Sequence, residues 1–271
     1  MCEGVEAVRV KFLGGFLSLV AIFLLFTGVV LAPGYTQRVN DKDLGEEVPR
    51  EKPVVPPEDN LPPKAATGEY DYGSPVPPAE IPVDDDYFAD AVFIGDSRTR
   101  GLQTLSGPTT ATYLTAIGLT VDTVLTKPLI KTEDGLVSVL DALRATPFGK
   151  VYLMLGINEL GWVYSEVFIE HYQKILTEIK KINPQAQIYL QSILPVAASR
   201  EDQIYNNARI REYNALLQQL ARENKVYYLN VAECVSDAAG ALLADASTDG
   251  VHLKKEYCDL WYEYLRLHYV P

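Results

Sequence analysis

The sequence predicts an α/β protein whose parallel sheet carries helices on both faces. Two observations lead to this prediction. Short runs rich in Val, Leu, Ile and Tyr recur between residues 91 and 231, as in the stretches AVFIG and KVYLMLG. Stretches with apolar residues at helical spacing lie between the later runs. With 48% hydrophobic and 22% charged residues, the composition is that of an ordinary globular chain.

The N-terminal segment predicts a membrane anchor over residues 12–32, preceded by a cytoplasmic segment over residues 1–11. Residues 12–32 contain no charge, and as a helix they would be about 32 Å long, which matches a bilayer core. Arg9 and Lys11 precede this run, so the chain after it is expected outside the cytoplasm. The alternative is a cleaved signal peptide that releases a secreted protein, although such a peptide normally has a shorter apolar core.

Residues 33–85 are predicted to form a linker. Of the 17 prolines in the chain, 11 lie between Pro33 and Pro82, and proline favours extended backbone without internal hydrogen bonds. Residues 33–90 hold 14 acidic and 5 basic side chains, and like charges extend a chain further. We therefore expect a tether that holds a domain, residues 86–271, away from the membrane.

Charge and cysteine content exclude some classes of function. The net charge of −12, with no basic stripe, argues against nucleic acid as a partner. The three cysteines, Cys2, Cys234 and Cys258, lack the spacing of a zinc site. Cys234 and Cys258 form either a disulfide in an exported domain or two buried thiols, and buried thiols are the commoner case.

The domain divides into predicted strands and helices. The predicted strands are residues 91–95, 112–117, 150–156, 187–194 and 225–231. The predicted helices are residues 133–145, 165–182, 206–223 and 254–268. The apolar stripes of the helices are expected to form the core. Ligands of such sheets bind at the carboxyl ends of the strands, so polar residues at those ends are candidate site residues.

The stretch GDS, residues 95–97, lies at the end of the first predicted strand. Asp96 and Ser97 are both favoured at helix N-termini, where their side chains cap free N–H groups. Taken alone, the stretch favours a capping role for Ser97. A nucleophilic serine would need a base, a group that orients the base, and donors for the oxyanion.

Candidates for these groups occur later in the chain. His171 and His268 lie in predicted helices, whereas His252 lies in a loop with Asp249 three residues before it. His252 is therefore the candidate base. Asn158 could donate its side-chain amide, and Gly118 could offer a backbone N–H without steric obstruction.

The chain resembles the SGNH hydrolases, also called the GDSL family of esterases and acylhydrolases. The resemblance rests on four ordered motifs, which are GDS at 95–97, the glycine at 118, GIN at 156–158 and DGVH at 249–252. It implies a three-layer α/β/α sandwich with a five-stranded parallel sheet of flavodoxin-like topology.

The resemblance also implies the site residues. Ser97 is the nucleophile, His252 is the base, and Asp249 orients His252. The backbone N–H groups of Ser97 and Gly118 form the oxyanion hole with the Asn158 side chain. Asp96 is expected to shape the turn and not to be catalytic.

This chain departs from the family pattern at two positions. Arg98 stands where the family has leucine, and Glu159 stands where aspartate is usual. Arg98 either holds the loop or faces an anionic or sugar-rich substrate. Trp162 and Tyr164 either form a stacking wall for a sugar or pack against the next helix. Arg98, Trp162 and Tyr164 are therefore candidate substrate-binding residues.

Together, the resemblance and the expected anchor predict an extracytoplasmic serine esterase without metal or organic cofactor. The expected substrate is an acylated glycan of the cell envelope or another glycan, with acetyl as the expected acyl group. The alternatives are a lipid acylhydrolase such as a lysophospholipase, a glycan O-acyltransferase, and a catalytically silent glycan-binding module. Because the loops after the strands are polar and short, we expect acetyl esters to be preferred over long acyl chains.

Overall fold

The computed structural model describes residues 70–271. The predicted cytoplasmic segment, the anchor at residues 12–32 and most of the predicted linker lie outside the described residues. Within residues 70–271, no helix is both long enough and apolar enough to cross a membrane.

Five parallel strands form the central sheet, and two further strands form a hairpin. The strands of the described chain are β1 Ala91–Gly95, β2 Thr112–Thr115, β3 Ile130–Thr132, β4 Gly135–Val137, β5 Lys150–Met154, β6 Gln187–Gln191 and β7 Tyr227–Leu229. The parallel sheet has the order β2-β1-β5-β6-β7, and β3 pairs with β4 in the antiparallel direction. The strand order reverses beside β1, which is the flavodoxin-like arrangement and places a crevice at the ends of β1 and β5.

Helices cover both faces of the sheet. They are α1 Ser97–Leu105, α2 Thr123–Thr126, α3 Val139–Arg144, α4 Ser165–Ile182, α5 Asn207–Asn224 and α6 Lys255–Leu267. On one face, α3, α4 and α5 pack their buried apolar side chains against Val92 and Val151. On the other face, α1 and α6 pack against Phe93 and Tyr152. The predicted α/β/α sandwich with a five-stranded parallel sheet is confirmed.

A row of neighbouring aromatic rings crosses the sheet on the α1 and α6 face. Each of its five members lies on a different strand, in the order Tyr113, Phe93, Tyr152, Tyr189 and Tyr227. Successive ring centroids are 5.0, 4.6, 4.6 and 5.1 Å apart. Aromatic neighbours on adjacent strands stabilise a sheet, and a shift of one residue would move a ring to the opposite face. The contacts along this row therefore favour the observed register of all five strands.

The structure corrects the predicted linker over residues 70–85. Val76 is 2% exposed, and its N–H donates to the carbonyl oxygen of Tyr228 at 2.9 Å. Further along, the N–H of Ala79 donates to the carbonyl oxygen of Leu267 at 2.7 Å. The prolines of this segment lack donors, but the residues between them keep their N–H groups and use them on the domain. The folded unit therefore begins before residue 86.

The segment between β2 and α3 also differs from the sequence-based prediction. The β3–β4 hairpin takes the place of the first part of the predicted helix over residues 133–145, and the helix begins at Val139. Gly135 has a φ of 124°, a conformation that favours glycine and suits the hairpin turn. Ser138 caps α3 by accepting a hydrogen bond from the Asp141 N–H at 3.1 Å. Leu136 therefore lies on β4 and Leu140 on α3, although the sequence placed both on one helix.

Cys234 and Cys258 are free thiols in the structure. The Cys234 thiol donates to the carbonyl oxygen of Val231 at 3.1 Å, and Cys258 is buried. Of the two alternatives for this pair, the structure shows the unpaired thiols.

Candidate active site

Ser97 begins α1 directly after β1, and its neighbours hold it there. Asp96 is the N-cap residue, because its side chain accepts a hydrogen bond from the Arg98 N–H at 2.8 Å. The cap and the candidate nucleophile are thus different residues. A side chain at Gly95 would lie 2.8 Å from the Met154 carbonyl oxygen, so the turn has room only for glycine.

Ser97, His252 and Asp249 form one continuous chain of hydrogen bonds. The Ser97 Oγ lies 2.9 Å from the His252 Nε2, and the His252 Nδ1 lies 2.6 Å from the Asp249 Oδ2. A proton on Nδ1 is donated to the carboxylate, which leaves Nε2 free to accept the serine proton. The structure therefore brings together the three residues that the sequence suggested.

Asp249 is held by its own loop. Its Oδ1 accepts the backbone N–H groups of Val251 at 2.9 Å and of His252 at 2.8 Å, and also the Ser247 hydroxyl at 2.9 Å. Partial burial raises the pKa of Asp249, but the hydrogen bonds from His252 and from these backbone groups outweigh burial and hold the pKa well below its usual range. The carboxylate therefore stays ionised and can stabilise a charged imidazole.

Two of the three expected oxyanion groups lie on loops that are joined to each other. Gly118 follows β2 with a φ of 71°, and Asn158 follows β5. The Asn158 Nδ2 donates to the Leu119 carbonyl oxygen at 3.0 Å. That bond uses one of the two amide N–H groups, so the second remains available to a developing oxyanion.

The buried side chain of Glu159 forms a second hydrogen bond between these loops. This structural role was not predicted from the sequence. Glu159 is fully buried, and its Oε1 accepts the Val121 N–H at 2.7 Å. Its Oε2 has no hydrogen-bond partner among the described residues. Burial, aided by the nearby carboxylate of Asp96, raises the pKa of Glu159 to about 8. The only sequence signal was the departure from the usual aspartate.

Arg98 holds the loop and does not face the substrate side. It is 3% exposed, and its guanidinium donates to the carbonyl oxygens of Leu194 at 2.5 Å and Pro195 at 3.4 Å. Burial lowers the pKa of Arg98 to about 10. The guanidinium therefore ties the start of α1 to the chain after β6, and the expectation of a substrate-binding Arg98 is corrected.

Trp162 and Tyr164 have different surroundings. The Trp162 ring packs against the core and meets the His171 ring edge to face, with centroids 6.2 Å apart. The Trp162 carbonyl oxygen also accepts a hydrogen bond from Arg209. Trp162 is thus a packing residue, which corrects its expected place in a stacking wall. Tyr164 is 66% exposed and remains a candidate for substrate contact.

The arrangement has the parts that acyl transfer requires and shows no metal cluster. Nucleophile, base and orienting carboxylate are in hydrogen-bond contact, and candidate oxyanion donors flank the serine in the strand order. Within residues 70–271, no group of three or more His, Cys, Asp or Glu side chains could hold a metal ion. The fold is an α/β/α sandwich, and the grouped residues at its strand ends form a candidate site for ester chemistry.

The chain belongs to the GDSL-like Lipase/Acylhydrolase family, whose sequence model matches residues 93–256. It is therefore an ester hydrolase of the GDSL, or SGNH, type. A search among curated proteins found no match.

Solved structures show the same fold. A protein from Streptococcus pneumonia, provisionally assigned as a platelet activating factor, is 28% identical with a TM-score of 0.52, over 65% of this chain and 81% of that chain. A GDSL-like lipase from Bacteroides thetaiotaomicron is 19% identical with a TM-score of 0.52, over 66% and 87% of the two chains. A provisional acylhydrolase from Bacteroides fragilis is 21% identical with a TM-score of 0.51, over 69% and 88%.

Proposed function

We propose that the protein is a serine esterase that removes acetyl groups from a glycan, with Ser97 as nucleophile, His252 as base and Asp249 as the group that orients the base. One observation carries this proposal, namely the unbroken hydrogen-bond chain from the Ser97 hydroxyl through the His252 ring to the Asp249 carboxylate. No other histidine of the described residues contacts a serine hydroxyl.

The first step forms an acyl-enzyme. The Ser97 Oγ attacks the ester carbonyl carbon while its proton moves to the His252 Nε2. The negative charge on the carbonyl oxygen is stabilised by the backbone N–H groups of Ser97 and Gly118 and by the free N–H of the Asn158 amide. The carbon–oxygen bond to the alcohol then breaks, and the leaving alcohol takes the proton from His252.

The second step releases the acid. Water attacks the acyl carbon, gives a proton to His252, and the Ser97 Oγ leaves with that proton. A sugar hydroxyl in place of water would give transfer rather than hydrolysis, so the same groups could serve a glycan O-acyltransferase. The glycan substrate itself is proposed from the predicted anchor and linker, which would place the domain outside the membrane near the cell envelope.

A lipid acylhydrolase is the second candidate, and exposed apolar side chains support it. Ile117, beside Gly118, is 75% exposed, and Val163, on the loop after Asn158, is 80% exposed. Ile204 is also exposed and lies 3.7 Å from the position that a side chain at Gly161 would take. Apolar residues on three loops at this end of the sheet could contact an acyl chain.

The test is covalent labelling followed by product analysis. The full chain should react with a fluorophosphonate at Ser97, the Ser97→Ala variant should not, and acetate should be released from acetylated xylan or acetylated peptidoglycan. Labelling without acetate release, together with fatty acid release from a lysophospholipid, would favour the lipid acylhydrolase. Absence of any adduct on Ser97 would support the silent glycan-binding module.

A further inference from the structure

Beside the candidate site, a cleft runs between α1 and the β2–β3 region, with a volume of ≈ 510 Å³. One wall is formed by α1 and the other by the end of β2 and the start of β3. Its main lining residues are Arg100, Gln103, Thr104, Thr115, Ile130 and Lys131. Among residues 70–271, no aspartate or glutamate lines it. We refer to it as the cationic cleft.

Both walls of the cationic cleft lead to the catalytic groups. Ser97, Arg100 and Thr104 have the helical spacing i, i+3 and i+7, so they lie along one face of α1. Arg100 is therefore about one turn, or roughly 5 Å along the axis, from Ser97. On the other wall, Thr115 ends β2 three residues before Gly118. A substrate whose ester group lies at Ser97 could extend into this cleft.

The two cations of the cleft have no charge partner in the part of the chain that the structure describes. Within residues 70–271, the side chains of Arg100 and Lys131 make no ion pair and no hydrogen bond. Both side chains are exposed, so neither has to give up a partner in order to bind an anion. Arginine and lysine bind carboxylate and phosphate oxygens through charge-assisted hydrogen bonds.

Neutral groups in the cleft fit the rest of such a ligand. Gln103 uses its Oε1 to accept from the Thr115 hydroxyl at 3.2 Å, and this leaves its amide N–H groups as donors. Ile130 and Leu129 supply an apolar surface suited to the CH face of a sugar ring.

We propose that the cationic cleft binds an anionic group of the ester substrate, a carboxylate or a phosphate carried by the sugar. The inference rests on the proposed esterase function and names its substrate class as acidic rather than neutral sugar esters. The ester would lie at Ser97, while the acidic group would contact Arg100 and Lys131.

Three substrates that share one sugar ring and differ in charge test the proposal. They are O-acetylated glucose, O-acetylated glucuronate and O-acetylated glucose 6-phosphate. For the wild-type chain at low salt, kcat/KM for one or both acidic sugars should exceed that for the neutral sugar by about tenfold. The reason is that only the acidic sugars can form charge-assisted hydrogen bonds with the cleft. The ratio of acidic to neutral should fall towards one in the Arg100→Gln, Lys131→Gln double variant. The better of the two acidic sugars distinguishes the carboxylate from the phosphate.

A matched control removes two positive charges elsewhere. Lys174 on α4 and Arg211 on α5 lie on helices of the opposite layer. The Lys174→Gln, Arg211→Gln double variant should keep the wild-type ratio. An equal loss in this control would show that net charge, not the cleft, sets the preference and would overturn the proposal. A wild-type ratio near one would overturn it as well.

Binding to the Ser97→Ala variant separates this inference from the proposed function. Calorimetry should detect glucuronate or glucose 6-phosphate binding more tightly than glucose, and the tighter binding should vanish when Arg100 and Lys131 are also changed to Gln. This binding result, together with no esterase activity of the wild-type chain, would remove the proposed function and keep the cleft. Esterase activity of the wild-type chain, together with equal binding of all three sugars, would keep the proposed function and overturn the inference about the cleft.

Discussion

The Asn158 side-chain amide donates a hydrogen bond to the carbonyl oxygen of Leu119 at 3.0 Å. This bond joins the loop after β5 to the loop after β2, and these strands lie on opposite sides of β1 in the sheet. The two loops carry the proposed oxyanion donors, so their separation sets the geometry of the oxyanion hole. Catalytic groups need such placement to within a fraction of an ångström.

Changes of Asn158 should therefore affect turnover without unfolding the protein. Asn158→Ala should lower kcat by about 10² to 10³, because one oxyanion donor and the inter-loop bond are lost. KM should change little, since the amide acts mainly in the transition state. Steady-state kinetics on p-nitrophenyl acetate will measure both values, and an unchanged kcat would remove Asn158 from the oxyanion hole.

The triad should behave as a unit. Ser97→Ala and His252→Ala should each lower kcat by about 10⁴ to 10⁶, and the double variant should lose little more, because neither group works without the other. Kinetics on purified variants will test this. Losses that multiply in the double variant would show that Ser97 and His252 act independently. His171→Ala, which changes a histidine outside the triad, is the control and should keep normal kcat.

Glu159 should make stability depend on pH. Its pKa of about 8 in the folded protein lies above its ordinary value of 4.5, so folding favours the protonated acid. The associated stability is fully present below about pH 4.5 and is lost as pH rises through about 8. Glu159→Gln keeps an acceptor for the Val121 N–H but cannot ionise. Its free energy of unfolding should match the wild type near pH 4 and exceed it at pH 9, by on the order of 1 kcal/mol or more.

The measurement is chemical denaturation at a series of pH values. Asp96 and Tyr172, which face Glu159, titrate in both proteins, so the difference between the two proteins isolates the effect of Glu159. Glu166→Gln, at an exposed position of α4, is the control and should show no such difference. A Glu159→Gln difference that does not change with pH would contradict a raised pKa.

The segment before residue 86 should contribute to stability. Removal of residues 1–69 should leave the melting temperature of the domain intact, whereas removal of residues 1–85 should lower it. Val76→Ala should destabilise the protein by about 2 kcal/mol, because it removes buried methyl groups and leaves a cavity. Val163→Ala, at an exposed valine, should change stability by less than about 0.5 kcal/mol. Equal melting temperatures for the two truncations would show that residues 70–85 do not stabilise the domain and belong to the linker.

Acyl-chain length should separate the two proposed activities. An acetylesterase should show the same or lower kcat/KM on p-nitrophenyl octanoate than on the acetate, after correction for intrinsic reactivity. A rise of about tenfold or more, which a few buried methylene groups would supply, would favour the lipid acylhydrolase. In that case Ile204→Ser should reduce activity on the octanoate but not on the acetate.

The site could be predicted largely from the sequence because its residues occur in short motifs at strand ends. GDS follows β1, GIN follows β5, and DGVH carries two triad members within four residues. Parallel strands bring their carboxyl ends to one edge, so the order of motifs and strands was enough to predict that these groups meet. The helix pattern of α4, residues 165–182, was also clear because its apolar positions repeat over five turns.

Local periodicity predicted most of the strands and helices and the α/β layering, whereas the roles of the triad residues came from the resemblance of four short motifs to the GDSL family. The burial of individual side chains became visible only in the folded chain. The sequence suggested both Arg98 and Tyr164 as substrate contacts. In the structure, Arg98 is buried and donates to the chain after β6, whereas Tyr164 faces solvent. Residues 70–85 were predicted to be linker, yet Val76 is buried and its N–H donates to the carbonyl oxygen of Tyr228. Burial is a property of partners that are distant in the chain, so composition and spacing alone did not reveal it.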